Sequence, residues 1–173
     1  MPLVAVGWSW PVLDTIGRAE PYRSIATAVG DPYVVFGALG AVSFLTIGLS
    51  LLLSLRRAGW GGIALGATVL LGVPVSVLSY LGTDEASPLH GMWGAEIFVL
   101  LLIAVAGIPA AVTAASRYPA WVAGLLASTF LVLLAGLGVF QYYPHGCLVM
   151  LGIEALVLAA GTRGRARSAR QVT

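Results

Sequence analysis

The run GMWGAEIFVLLLIAVAGIPAAVTAA, residues 91–115, decides the fold class, because its only charge in twenty-five residues is Glu96. A helix rises about 1.5 Å per residue, so about 20 apolar residues cross a hydrocarbon core of about 30 Å. Four further runs read the same way, at residues 33–55, 61–82, 120–140 and 147–161, uncharged apart from Glu154 in the last. The fifth run is short for a crossing unless it borrows flanking residues. These runs predict an all-α integral membrane protein with five transmembrane helices. A membrane β-barrel is excluded, because its strands would alternate apolar and polar residues, and these runs are continuously apolar.

Composition agrees with that reading. Of 173 residues, 59% are hydrophobic and 9% charged, where a soluble domain carries about 25% charged residues. The basic residues are all arginine, and their placement predicts orientation, since basic loops stay on the cytoplasmic side. Arg56, Arg57, Arg117, Arg163, Arg165, Arg167 and Arg170 fall on one side; only Arg18 and Arg23 fall on the other, together with Asp14, Glu20, Asp31, Asp84 and Glu85. The expected arrangement is a multi-pass protein of the cytoplasmic (inner) membrane with the N-terminus outside and the C-terminus in the cytoplasm.

Three regions follow. Residues 1–32 are expected to form an outward-facing interfacial segment, with a re-entrant half-helix as the alternative; Trp8, Trp10 and Tyr22 are residue types that favour the headgroup boundary, and there is no basic start of the kind a signal peptide has. Residues 33–161 form the five-helix domain. Residues 162–173 form a basic cytoplasmic tail, which is too short for a folded basic face and so argues against nucleic acid as a partner. The expected partner is the lipid bilayer. Glycines such as Gly37, Gly40, Gly48, Gly62 and Gly66 would also let helices pack closely, within one chain, between copies or against other membrane subunits. The single cysteine, Cys147, excludes an intrachain disulfide.

An internal repeat emerges from the rarer residues. Pro32, Pro88 and Pro144 precede the first, third and fifth runs at equal spacings of 56 residues. After Pro88 stands HGMWGAE, and after Pro144 stands HGCLVMLGIE, so Met92-x-Gly94-x-Glu96 matches Met150-x-Gly152-x-Glu154. Arg57 with Trp60 and Arg117 with Trp121 open the second and fourth runs. The pattern predicts a tandem duplication of a helical hairpin, pairing the second and third helices with the fourth and fifth. Such copies are parallel, which weakens the inverted-repeat logic of many transporters.

The acids are the candidate working groups. A carboxylate exposed to lipid costs several kcal/mol, so Glu96 and Glu154 should face protein or water. Both lie on the order of 10 Å below the outer boundary when counted along their helices, at similar depths where they could face one another, and an outward-opening polar pocket is expected around them. His90, His145, Tyr80, Gln141, Tyr142 and Trp93 are its expected lining. Pro74 and Pro109 lie inside spanning runs and favour kinks.

Several functions fit such a pocket. In one, the acids hydrogen-bond across helices and the protein is an accessory or structural membrane subunit. In another, they bind or conduct a proton, a cation or a small polar solute, as intramembrane acids do in relays. A third makes Glu96 and Glu154 the catalytic pair of an intramembrane enzyme, one acid kept protonated to attack an apolar polyprenyl or terpene-like substrate. A fourth is an outward-side copper or haem site, for which His90, Met92, His145, Cys147 and Met150 are ligand types without a fixed-spacing signature. No G-x-S-x-G or G-x-x-x-x-G-K motif occurs. No cofactor is specified by these residues.

Overall fold

The structure is a computed structural model that describes residues 32–140 and 143–170, with side chains for residues 36–140 and 143–162. The expected interfacial segment, Gln141, Tyr142 and the side chains of the basic tail lie outside the described residues. Six helices and no strands are found among the described residues: α1 Pro32–Ser54, α2 Trp60–Leu81, α3 Glu96–Ala114, α4 Ala120–Ala127, α5 Thr129–Phe140 and α6 His145–Arg170. Short 3₁₀ turns stand at Arg56–Ala58 and His90–Met92.

Four segments are long and apolar enough to cross a membrane: Phe36–Ser54, Trp60–Leu81, His90–Ala114 and His145–Thr162. The fourth predicted run is different. It is expected as one helix over 120–140, but it breaks at Ser128 into α4 and α5, which meet at a bend of 54°. Counted together they make a fifth span. The break has no proline. Instead, two consecutive hydroxyls fold back onto the preceding turn, Ser128 Oγ donating to Leu125 O and Thr129 Oγ1 lying 2.8 Å from Leu126 O, and such back-bonding bends helices. The two prolines behave otherwise: Pro74 sits within α2 and Pro109 within α3, and both helices run on past them. Thr113 Oγ1 donates to Pro109 O, 2.8 Å away, close to the turn the proline disturbs.

The helices close into a ring, α1 against α2, α2 against α3, α3 against α4 and α5, α5 against α6, and α6 back against α1. Phe44, Ile47, Leu51, Leu65, Ile103, Leu126, Leu148, Leu151 and Leu158 form the fully buried centre. Glycine makes the close approaches possible. A side chain on Gly72 would strike the Phe44 ring, one on Gly61 the Pro109 carbonyl, and one on Gly136 the Gly146 carbonyl across the α5–α6 contact. Exposed Leu, Ile, Val and Phe cover the outside, including Leu53, Phe98, Val105, Val112, Leu131 and Val139, the pattern of helices whose solvent is hydrocarbon.

Each end of the ring is tied. At the end with Arg56, Arg57 and Arg117, the Arg117 guanidinium donates to Arg57 O at 2.9 Å and the Tyr118 hydroxyl to Ser54 O at 2.9 Å, joining the α1–α2 turn to the α3–α4 turn. At the opposite end, residues 82–95 form a compact loop held by Ser87 Oγ to Leu81 O and by His90 Nδ1 to Gly82 O at 3.1 Å.

Candidate functional site

The loop delivers Glu96 into the protein. After the 3₁₀ turn His90–Met92, the chain reverses at Gly94, whose φ of +77° lies in the left-handed region. A side chain there would meet nothing within 4 Å, so the glycine serves the backbone angle rather than space. α3 starts two residues later, and Glu96 is its first residue, 1% exposed. The positive end of the helix dipole favours an acid there, and the residue's own backbone N–H bonds the carboxyl, while Ile97 N and Phe98 N are used on Gly94 O and Ala95 O. The Ser79 hydroxyl of α2 hydrogen-bonds the carboxyl and also accepts from Gly94 N at 3.0 Å. Ser79 thereby clamps the turn and the acid together.

Tyr143 closes this site from the α5–α6 turn. Its hydroxyl donates to Gly94 O at 3.1 Å. Burial, with Glu96 and Cys147 nearby as lesser causes, holds the phenol above its ordinary range, so it acts as a neutral donor. Cys147, one turn into α6, is buried and its thiol points to Leu133 O at 3.5 Å.

Beside this site, four rings pack where α1, α2, α6 and the loop converge. His145 is 1% exposed; its Nε2 lies 3.2 Å from the Tyr80 hydroxyl, and its ring lies 5.9 Å from Phe36. Tyr80 stacks on Phe36 and meets Trp93 edge-on, with centroids 6.1 Å apart in the second pair. Three of the predicted lining residues, His145, Tyr80 and Trp93, are therefore brought together. His90 is not among them: it is exposed on the loop with Gly82 O as its partner.

Glu154 occupies a second, deeper site. It is 3% exposed, on the middle of α6, and its Oε1 lies 2.8 Å from Thr129 Oγ1 at the break between α4 and α5. Gly107 of α3 packs against that break, its Cβ position 2.7 Å from Leu126 O and 3.0 Å from Thr129 Cβ. Gly107 lies eleven residues beyond Glu96 along α3, and Glu154 lies seven beyond Cys147 along α6. At about 1.5 Å per residue, the count along α3 separates the acids by about 16 Å in depth and the count along α6 by about 10 Å. They belong to two levels of the ring, with different partners, and do not form the facing pair that their similar positions in the runs left open. The equal counts misled because α3 begins only after a turn, whereas Met150, Gly152 and Glu154 are all within α6.

The two sites share one feature. Glu96 Oε1 and Glu154 Oε2 are buried oxygens with no hydrogen-bond partner among the described residues. Arg56, Arg57 and Arg117, the arginines whose side chains are described, lie at the ring's far end from Glu96.

An apolar cavity of about 190 Å³ separates α3 from α5. Ile97, Leu100, Leu101, Phe130, Leu133 and Leu134 form most of its wall, and Tyr143 and Cys147 close one end. No group of three or more His, Cys, Asp or Glu side chains that could hold a metal ion occurs among the described residues. Met92 and Met150 are half-buried on separate elements. Ser79 was missed by sequence reasoning. The available signal was polar spacing, since Ser76 and Ser79 share a face of α2 with the nearby Tyr80, which the sequence does single out. No family model, curated protein or solved structure matches this chain.

Proposed function

We propose that the chain is a proton-binding subunit of the cytoplasmic membrane, with Glu96 and Glu154 as two separate proton sites. The carrying observation is the pair of buried carboxyl oxygens, one on each acid, that no described donor satisfies. A buried carboxylate without a counter-ion is costly, and a proton is the smallest ligand that removes the charge. A hydroxyl on the other oxygen, from Ser79 or Thr129, then orients the acid without neutralising it. The reading includes the arginine end as cytoplasmic, so that Glu96 lies near the outer face, and a hairpin duplication as the origin of the two acids. It is a reading of binding rather than conduction, because the arginine end of the ring offers hydroxyls such as Ser54 and Thr113 but no third acid.

The apolar cavity favours a second reading. Tyr143, which reaches Gly94 beside Glu96, also ends a chamber lined by hydrocarbon side chains. That placement suits an acid acting on a polyprenyl or terpene-like chain, and conversion of such a substrate by the purified protein would establish it.

Infrared titration of the protein in lipid tests the main reading. The carboxylic acid C=O signal should fall as pH rises, one component vanishing in Glu96→Gln and another in Glu154→Gln. No titrating component, or an unchanged spectrum in the double variant, would sink it and leave the acids a packing role in an accessory subunit.

A further inference from the structure

Thr129 has one hydroxyl hydrogen and two acceptors at equal range. Its Oγ1 lies 2.8 Å from Leu126 O, in the last turn of α4, and 2.8 Å from Glu154 Oε1 on α6. A hydroxyl donates once and accepts through its lone pairs. Both short contacts are full hydrogen bonds only when Glu154 brings a hydrogen of its own, in the chain Glu154 O–H to Thr129 Oγ1, and Thr129 O–H to Leu126 O. An ionised Glu154 can only accept, so it claims the threonine hydrogen, and charge-assisted bonds outcompete neutral ones. The bond to Leu126 O is then given up, at the point where the fourth span bends by 54°.

We propose that Glu154 and Thr129 form a proton-linked hinge, in which the protonated acid holds the α4–α5 bend and the ionised acid releases it. The proposal rests on the reading of Glu154 as a proton site and adds what that proton does. Three observations support a hinge at this place. The break has no proline to fix its angle, only hydroxyl bonds that can be exchanged. Gly107 gives the break a smooth contact on α3, since even one methyl group there would press on Leu126 O and Thr129. The surroundings also leave Glu154 to titrate by itself. α4 and α5 carry no titratable side chain, nor does α1 over residues 36–54, and α3 has only Glu96, at the other level. On α6, Cys147 stands seven residues and His145 nine residues before Glu154, and the helix's arginines begin nine residues after it at Arg163.

A paired-label distance measurement tests the hinge in the full chain in lipid. Cys147→Ala removes the native thiol, and Ala120→Cys with Val139→Cys places spin labels on exposed positions on either side of Ser128. α5 has 12 residues and is thus about 18 Å long, so each 10° change of bend moves its far end by about 3 Å. The label distance should change with pH in step with the Glu154 infrared component. Thr129→Val should abolish the distance change while the carboxyl still titrates, and Thr129→Ser, which keeps the hydroxyl, should restore it. A constant distance across a titrating Glu154, or a distance change that survives Thr129→Val, overturns the hinge alone. A Glu154 carboxyl that does not titrate at all overturns the hinge together with the proton-site reading.

Discussion

Glu96 stands at the first residue of α3, where the chain has just turned at Gly94, whereas Glu154 stands on an unbroken α6 with a helix on either side. The first acid is served by its own backbone. Its own N–H bonds the carboxyl, and a single hydroxyl from α2 completes the setting. The second acid has no such help, because every neighbouring N–H on its helix is already used. Its partner must come from another span, and the span that supplies it is the broken one. Burying an acid mid-helix therefore costs the neighbouring helix its continuity, while burying one at a helix start costs only a loop conformation.

The sharpest way to break that comparison is to crowd the deeper site. Gly107→Leu drives a side chain into Leu126 O and Thr129 and should lower stability by about 3 kcal/mol, read by thermal unfolding in detergent. Gly91→Leu, on the loop where nothing lies within 4 Å, should cost under about 0.5 kcal/mol. Equal losses would mean that the loop is packed as tightly as the break. A smaller effect separates the two hydroxyls. Thr129→Val leaves Glu154 without its described partner and should cost about 2 kcal/mol, whereas Ser79→Ala should cost about 1 kcal/mol, because Glu96 keeps the bond from its own backbone N–H. The reverse order in denaturation midpoints would show that Glu96 depends on its side-chain partner more than on its backbone. The least effect is expected at His90, which is exposed with a single loop carbonyl as partner. His90→Ala should stay within about 0.5 kcal/mol of the parent in the same assay, and a larger loss would make the loop part of the site.

The apolar runs were legible in the sequence because crossing a bilayer is a property of twenty neighbouring residues, readable without knowing their contacts. The same holds for the buried acids, which stand out as the only charges in their runs. The break at Ser128 was not legible. Pro74 and Pro109 are stronger breakers by covalent structure, yet α2 and α3 run through them, while Ser128 and Thr129 bend a span whose partner acid lies 25 residues away in Glu154. A serine–threonine pair gives no local signal of that partner. The relative depth of the two acids failed to read for a related reason, since counting along a run assumes a helix from its first residue, and residues 91–95 spend their length on turns.

The contact between α1 and α6 has a consequence for synthesis. A Cβ added at Gly40 of α1 would lie 3.6 Å from the His145 ring, and Phe36 packs on the same ring. α1 thus has its neighbour on one flank made only after the 90 residues between Ser54 and His145 have followed it. Until then that flank faces lipid or the insertion machinery. A nascent chain cut before residue 145 would retain the α1–α2 and α2–α3 contacts but leave the ring unclosed on the α1 flank.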